Sequence, residues 1–191
     1  EPRELFDSVV GRAASLLGAE VTLLALLSGD GHSLSTVAQI GLRSGSASRL
    51  RAVEDLGLQQ LAIETGEPVA VSDLCSDPRL EGRRFTLADE EELVSAVAVP
   101  LRGKDRILGT LVAGNRTQTP FEEQQVELLA TFGNLMALAI ETRQLYDKLE
   151  SLARLEERVR VLGRAAQERP VRAERAGAVR VDLRLVDQGA Q

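Results

Sequence analysis

Aromatic residues are scarce in this 191-residue sequence, which has no Trp, one Tyr and four Phe. Without aromatic rings the chain can assemble neither a stacking platform for nucleic-acid bases nor a cage for a quaternary ammonium ligand. Hydrophobic residues nevertheless make up 43% of the chain. The sequence therefore predicts a core built from Leu, Val, Ile and Ala.

Cysteine and histidine occur once each, as Cys75 and His32. A single cysteine excludes an internal disulfide framework and a cysteine-rich metal cluster. No grouping of His, Cys and Asp has the spacing of a zinc site, and no nucleophile is paired with a base. We interpret Cys75 as structural and His32 as a turn residue, and we expect neither a metal site nor an enzyme.

Long apolar runs are also missing, because no stretch approaches the roughly 20 residues of a membrane span. No signal peptide is visible, and an opening residue of Glu1 indicates a fragment or a processed form. The net charge of −6 predicts repulsion from nucleic acid and anionic membranes. Residues 151–191 carry nine Arg against six acids, which we interpret as a solvated helix face. We expect a cytoplasmic protein without a membrane partner.

The first part of the chain has the pattern of a helix followed by a hairpin. Apolar residues recur at steps of three and four over residues 6–17, and Gly18 is placed to end that helix. Two apolar segments, 21–27 and 34–40, flank a Gly-rich turn at 28–31. These segments predict two antiparallel strands.

The middle of the chain is predicted to be mostly helix and loop. Ser48 is expected to cap a helix that ends at Gly66, and a short strand follows at 69–71. The sequence from Thr86 to Asp89 has the capping-box pattern that opens a short acidic helix.

A second hairpin and a long helix complete the predicted order. The hairpin pairs residues 94–101 with 107–113, and Thr119 is expected to cap a helix that runs to residue 162. Apolar residues at or near heptad spacing predict a dimeric coiled-coil seam, which Thr142 and Glu156 interrupt. The predicted interface residues are Leu138, Leu145, Leu149, Leu152, Leu155 and Val159. Val179 to Val186 alternates like a strand.

Four stretches, taken in this order, resemble the GAF family of small-molecule sensory domains. They are LLGAE (16–20), TGEPVAVSDLCSDPR (65–79), SAVAVPLRGKDRILGTLVAGN (95–115) and PFEEQQVELLATFGNLMALAIE (120–141). The resemblance covers residues 4–148. It implies an α+β fold with a central antiparallel sheet of five to six strands, terminal helices on one face and a ligand pocket on the other.

This resemblance implies three segments along the chain. Residues 1–141 are expected to form the sensory domain, 142–163 a coiled-coil signalling helix, and 164–191 an extension of unknown structure. The implied function is detection of an unidentified small molecule and transmission through a dimerising helix to a signalling or transcriptional output. A ligand-free dimerisation scaffold is the alternative. We expect a homodimer in which the sensory domain makes no direct contact with nucleic acid, and the sequence identifies no cofactor.

The resemblance places a pocket beneath a roof formed by residues 50–63 and 72–93. Because small alanines let helices approach closely, we assign Val94, Ala96 and Ala98 to the helix side of their strand. The opposite alternation then forms the pocket floor. The candidate ligand-binding residues are Asp73, Cys75, Arg79, Arg83, Phe85, Leu93, Ser95, Val97 and Val99. The arginines either receive a carboxylate or phosphate or are solvated loop residues.

The sequence departs from the motifs of several specialised GAF domains, and these departures disfavour the corresponding activities and ligands. Members that reduce free methionine sulfoxide resemble one another through several cysteines, whereas this chain has one. Bilin-binding members place His beside the attachment Cys, where this chain has Ser76. Asn115-Arg116 partly matches an Asn-Lys motif of cyclic-nucleotide-binding members, in which those residues resemble a structural clasp. Gln125-Val126 stands where that motif has an acidic pair, which disfavours a cyclic nucleotide.

Overall fold

The computed structural model describes residues 2–43 and 50–167. The predicted cap at Ser48 and the predicted strand at 179–186 lie outside these residues. The chain divides into two compact units, residues 1–143 and 144–191.

Four helices and six strands follow one another along the described chain. In order they are α1 (Pro2–Leu17), β1 (Val21–Leu27), β2 (Ser33–Ile40), β3 (Leu50–Ala52), α2 (Gly57–Thr65), β4 (Val69–Val71), α3 (Thr86–Glu91), β5 (Ser95–Arg102), β6 (Ile107–Asn115) and α4 (Glu123–Gln167). Short 3₁₀ turns occupy Val53–Asp55 and Pro78–Leu80.

The six strands form one sheet in the order β3-β2-β1-β6-β5-β4. Every neighbouring pair in this sheet is antiparallel. Both predicted hairpins are confirmed, since β1 pairs with β2 and β5 pairs with β6. The strands β1 and β6 lie at the centre and pair with each other, which brings the two hairpins into one layer.

The two faces of the sheet carry separate apolar clusters. On one face, Val10 and Leu17 of α1 pack with Leu129 and Met136 of α4. The other cluster joins residues of β1, β5 and β6 to α2, α3 and the segments between them. The predicted α+β fold, with terminal helices on one sheet face, is therefore confirmed.

The predicted facing of β5 was wrong. Val97 and Val99 belong to the cluster beneath α1 and α4, whereas Ala96 and Ala98 belong to the opposite cluster. The small residue that admits the helix is Gly133 of α4, where an added Cβ would lie 3.1 Å from Val99 Cγ2. The helix, and not the strand, supplies the close approach, so the valines face it.

The predicted helix between residues 48 and 66 begins later in the structure than the sequence predicted. Residues 50–52 pair with β2 as an edge strand, and the helix begins only at Gly57. The predicted end is confirmed, because Gly66 has a φ of 67° and its N–H donates to the Ala62 carbonyl. Its left-handed conformation costs glycine little.

Two predicted helix caps use other residues. The Thr86 hydroxyl donates to the Asp55 carbonyl at 2.8 Å, which ties α3 to the preceding turn instead of capping its own helix. In α4 the cap lies after Thr119, because the Glu122 N–H donates to Gln125 Oε1 at 2.8 Å. Helix α3 forms where predicted, and α4 begins at Glu123, three residues later than a cap at Thr119 predicts.

The second unit contains the last part of α4. Large apolar side chains along residues 144–162 are exposed; they are Leu145, Tyr146, Leu149, Leu152, Leu155, Val159, Val161 and Leu162. Across residues 2–43 and 50–167, no helix combines the length and the apolar character needed to cross a bilayer.

Two buried threonines give a first prediction about stability. Thr22 Oγ1 is buried without a hydrogen-bond partner, whereas Thr110 Oγ1 pairs with Gln59 Nε2 at 2.9 Å. Because an unsatisfied buried hydroxyl is unfavourable, Thr22→Val should raise the unfolding free energy by about 1 kcal/mol. Thr110→Val should lower it by about 1–2 kcal/mol, since it leaves the Gln59 amide unpaired. Urea unfolding of both variants measures the difference, and shifts of the same sign would contradict the assignment.

Candidate functional site

A small cavity lies on the sheet face opposite α1 and the first part of α4. Its volume is about 30 Å³, which is room for about one water molecule. Side chains of β1, β5 and β6 form its floor, and α2, α3 and the intervening segments form its roof. The lining residues are Leu23, Leu56, Leu58, Gln59, Leu74, Phe85, Leu87, Ala88, Leu93, Ala96 and Val112.

Gln59 supplies the polar group among these lining residues. Its side chain is 5% exposed, and its Nε2 donates to the Thr110 hydroxyl on β6, which is itself fully buried. This contact uses one end of the amide, whichever way the amide is turned. Among the lining residues, Gln59 is the one whose side chain can form a hydrogen bond with a guest.

Two arginines of the roof form ion pairs outside the cavity lining. Arg83 Nη2 lies 2.8 Å from Glu64 Oε2, and Arg84 Nη1 lies 3.1 Å from Asp55 Oδ1. The hydrogen bond from Arg83 holds the pKa of the Glu64 carboxyl below its ordinary value. The roof therefore presents apolar side chains inward and paired charges outward.

The predicted binding residues in the loop after β4 lie outside the cavity lining. Asp73 Oδ1 accepts a hydrogen bond from the Cys75 N–H at 2.9 Å, and the Cys75 thiol is exposed. Arg79 donates to Asp77 and, at 2.7 Å, to the Ala70 carbonyl on the edge strand β4. The hydrogen bond from Arg79 lowers the pKa of Asp77. These contacts order the loop and cover the sheet edge.

Of the nine predicted binding residues, Phe85 and Leu93 line the cavity. Ser95 lies elsewhere, since its hydroxyl donates to the Thr117 carbonyl at 2.9 Å. Sequence reasoning missed Gln59 and Ala96. Helical spacing with the apolar residues of α2 places Gln59 on a buried face, and this signal was available in the sequence.

Arg116 connects the end of the roof to the sheet. Its side chain is 12% exposed and that of Glu91, the last residue of α3, is 0% exposed. Arg116 Nη2 donates to Glu91 Oε2 and to the Gly41 carbonyl, both at 2.9 Å. Its Nε donates to the Glu91 carbonyl at 3.0 Å. One guanidinium thus anchors α3 to β6 and to the segment after β2.

Three further hydrogen bonds surround this cluster of Arg116 and Glu91. The Arg43 N–H donates to Glu91 Oε2 at 2.7 Å. The Arg116 N–H donates to Glu20 Oε1 at 3.2 Å, and the Glu20 N–H donates to Asn115 Oδ1 at 3.0 Å. Asn115 and Arg116 therefore form a clasp between the start of β1, the end of β6 and the roof.

The part of the chain that the structure describes holds no group of three or more His, Cys, Asp or Glu residues arranged to bind a metal ion. The lining of the cavity is apolar except for the Gln59 amide.

The domain thus has an antiparallel sheet with terminal helices on one face and a roofed cavity on the other. The sequence profile of the GAF domain family matches residues 1–140, and the chain belongs to this family. No curated protein sequence matches it significantly.

Solved structures of GAF domains share the fold at low sequence identity. The second GAF domain of DevS from Mycobacterium smegmatis is 24% identical, with a TM-score of 0.62 over 78% of this chain and 99% of that one. The GAF domain of PixJ from Thermosynechococcus elongatus, in its blue-light absorbing form, is 14% identical, with a TM-score of 0.64 over 82% and 93%. A type II free methionine-R-sulfoxide reductase from Thermoplasma acidophilum is 18% identical, with a TM-score of 0.58 over 71% and 89%.

Proposed function

We propose that this chain is a regulatory domain that binds a small molecule in the roofed cavity and passes the bound state to α4. The observation that carries this proposal is an apolar cavity, with one buried amide, on the sheet face opposite the terminal helices. A GAF domain of DevS, residues 122 to 287 of a methyl-accepting chemotaxis protein and a far-red cyanobacteriochrome photoreceptor have the same fold, which supports a role in signalling.

The size of the cavity makes binding depend on movement of the roof. Pockets for small molecules usually measure about 300–1,000 Å³, whereas this cavity measures about 30 Å³. A guest therefore binds a conformation in which the roof has moved outward. A ligand that prefers one conformation shifts the population toward it, which is the basis of a sensory response.

Strand β5 offers the shortest connection between the cavity and α4. Ala96 lies on the cavity floor, and the next residue, Val97, belongs to the cluster on the opposite face. Val99 of the same strand contacts the backbone of α4 near Gly133. A shift of β5 caused by a guest would therefore move side chains that pack against α4.

The exposed apolar stripe of α4 supports a homodimeric output. Leu145, Leu152 and Val159 lie seven residues apart, and Leu149 fills one alternate position. All four side chains are exposed in the single chain. We infer that two copies pair along this stripe in a parallel coiled coil, whose seam is weakened at Thr142 and Glu156.

We favour a binding role over catalysis. The cavity lining consists of aliphatic side chains, one Phe and one amide, and this set offers no nucleophile or general base. Cys75, the thiol that a reductase would need, is exposed in the loop after β4 and does not line the cavity.

Ligand-dependent thermal unfolding tests the proposal. A ligand that binds only the native state raises the melting temperature by mass action, so at least one member of a panel of nucleotides, small acids, alcohols and aromatics should do so. Ala96→Leu should remove the effect, because the larger side chain fills the cavity. Ala153→Leu, on the exposed surface of α4, should retain it.

The small size of the cavity also favours a second function, a dimerisation scaffold without a ligand. Under this alternative no member of the panel changes the melting temperature of the wild type, of Ala96→Leu or of Ala153→Leu. The same experiment therefore separates the two functions.

A further inference from the structure

We propose that the cavity recognises an uncharged, largely hydrocarbon molecule that carries one hydrogen-bonding group, and that this group pairs with Gln59. The inference rests on the proposed function, because it names the class of ligand for the same cavity. Three observations carry it: the lining, the pairing of the surrounding charges, and the position of the Gln59 amide.

The lining selects against polar ligands. Gln59 is the polar residue among the described side chains that form the cavity, and the others are aliphatic or Phe85. A ligand with several polar groups would have to give up hydrogen bonds to water without replacing them, which is unfavourable. The body of the ligand is therefore a hydrocarbon.

The charges around the cavity are already neutralised. Arg83 pairs with Glu64, Arg84 pairs with Asp55, and Glu91 pairs with Arg116. None of these six side chains lines the cavity. A carboxylate, phosphate or ammonium group would be buried without a counter-ion, and an uncompensated buried charge is strongly unfavourable. The ligand is therefore uncharged.

The Gln59 amide fixes the place of one polar group. Thr110 holds one end of the amide from the floor, and the other end is the proposed partner of the ligand. A hydroxyl, carbonyl or amide on the ligand would satisfy that end. Because one amide end is available, one such group is sufficient.

Four probes of similar size and different charge test this class. They are toluene, benzyl alcohol, benzoate and benzylammonium, and their dissociation constants are measured by methyl-detected NMR on the full chain. We expect benzyl alcohol to bind tightest, with toluene weaker and both ions at least about a hundredfold weaker than the alcohol. Binding of benzoate or benzylammonium as tight as that of benzyl alcohol would overturn the proposal.

A variant with both polar partners removed tests the role of Gln59. In Gln59→Leu/Thr110→Val neither side of the hydrogen bond is left unpaired, so the cavity remains apolar throughout. We expect benzyl alcohol to bind this variant about tenfold more weakly than wild type, and toluene to bind with little change. An equal loss for both probes would overturn the pairing with Gln59, as would no loss for either.

The outcomes also distinguish this inference from the proposed function. Charged probes that bind wild type but not Ala96→Leu would overturn the ligand class and leave the sensory function standing. If none of the four probes bound while another panel member still raised the melting temperature, the class would again be overturned alone. If no ligand of any kind bound, both would fail.

Discussion

Replacement of Arg116 by Met is expected to lower the unfolding free energy by about 3–5 kcal/mol, because it breaks the ion pair between Arg116 and the buried Glu91 carboxylate. Glu91 is 0% exposed, so water cannot replace the guanidinium. The same substitution removes hydrogen bonds to the Glu91 and Gly41 carbonyls. The unfolding free energy is measured by urea denaturation followed by circular dichroism.

Three matched variants separate the causes of this loss. Glu91→Gln should cost less than Arg116→Met, because Arg116 keeps Glu20 and the Gly41 carbonyl as partners. The double variant Glu91→Gln/Arg116→Met should cost less than the sum of the two single variants, since both substitutions remove the same ion pair. Arg84→Met breaks an ion pair in which Arg84 is 75% exposed, so it should cost under about 1 kcal/mol. An Arg116→Met cost as small as that of Arg84→Met would contradict the anchoring role.

The second large effect is expected from Leu145→Glu/Leu152→Glu, which should convert a homodimer into a monomer. Both residues lie at seam positions, and a charge there would be buried between two copies without a partner. We expect the dimer dissociation constant to rise by at least about a thousandfold. Sedimentation velocity over a range of concentrations measures this change.

A control for the helix variant is available on another face of α4. Ser151→Glu introduces the same charge at an exposed position off the predicted seam and should leave the dimer intact. Residues 1–143 form their own compact unit, so the helix variants should leave it folded. Thermal unfolding of each variant checks this. A monomeric wild type at tens of micromolar would contradict the dimeric output, as would dissociation caused equally by the control.

Local sequence patterns were sufficient for most of the fold. The apolar period of residues 6–17 and the Gly-rich turn at 28–31 predicted α1 and the first hairpin because both depend on neighbouring residues. The boundaries that failed depend on distant partners. Residues 50–52 have the apolar spacing of a helix, but pairing with the edge of β2 makes them a strand.

The site was less predictable than the fold, since it depends on which face of β5 meets which layer. Every residue from Ser95 to Leu101 is buried, so alternation of polar and apolar residues gave no signal. Gly133, far along the chain, leaves room for Val99 where α4 approaches the strand. The Gln59–Thr110 pair spans 51 positions, and sequence spacing alone does not predict such a contact.

The clasp was anticipated in part. Asn115-Arg116 was singled out by its partial match to a family motif, and both residues take part in buried contacts. The acidic partners were not predicted, because Glu20 and Glu91 lie in parts of the sequence remote from that motif. Their identity follows only from the sheet order, which places the start of β1 beside the end of β6.

Intermolecular nuclear Overhauser effects between benzyl alcohol and methyl-labelled protein offer the most direct measurement of where a guest resides. We predict saturable contacts to the methyl groups of Leu23, Ala96 and Val112 and none to those of Val97 and Val99, on the reverse of the sheet. Contacts to the two valines, or no saturable contact to the first three residues, would contradict a guest site between the sheet and α3.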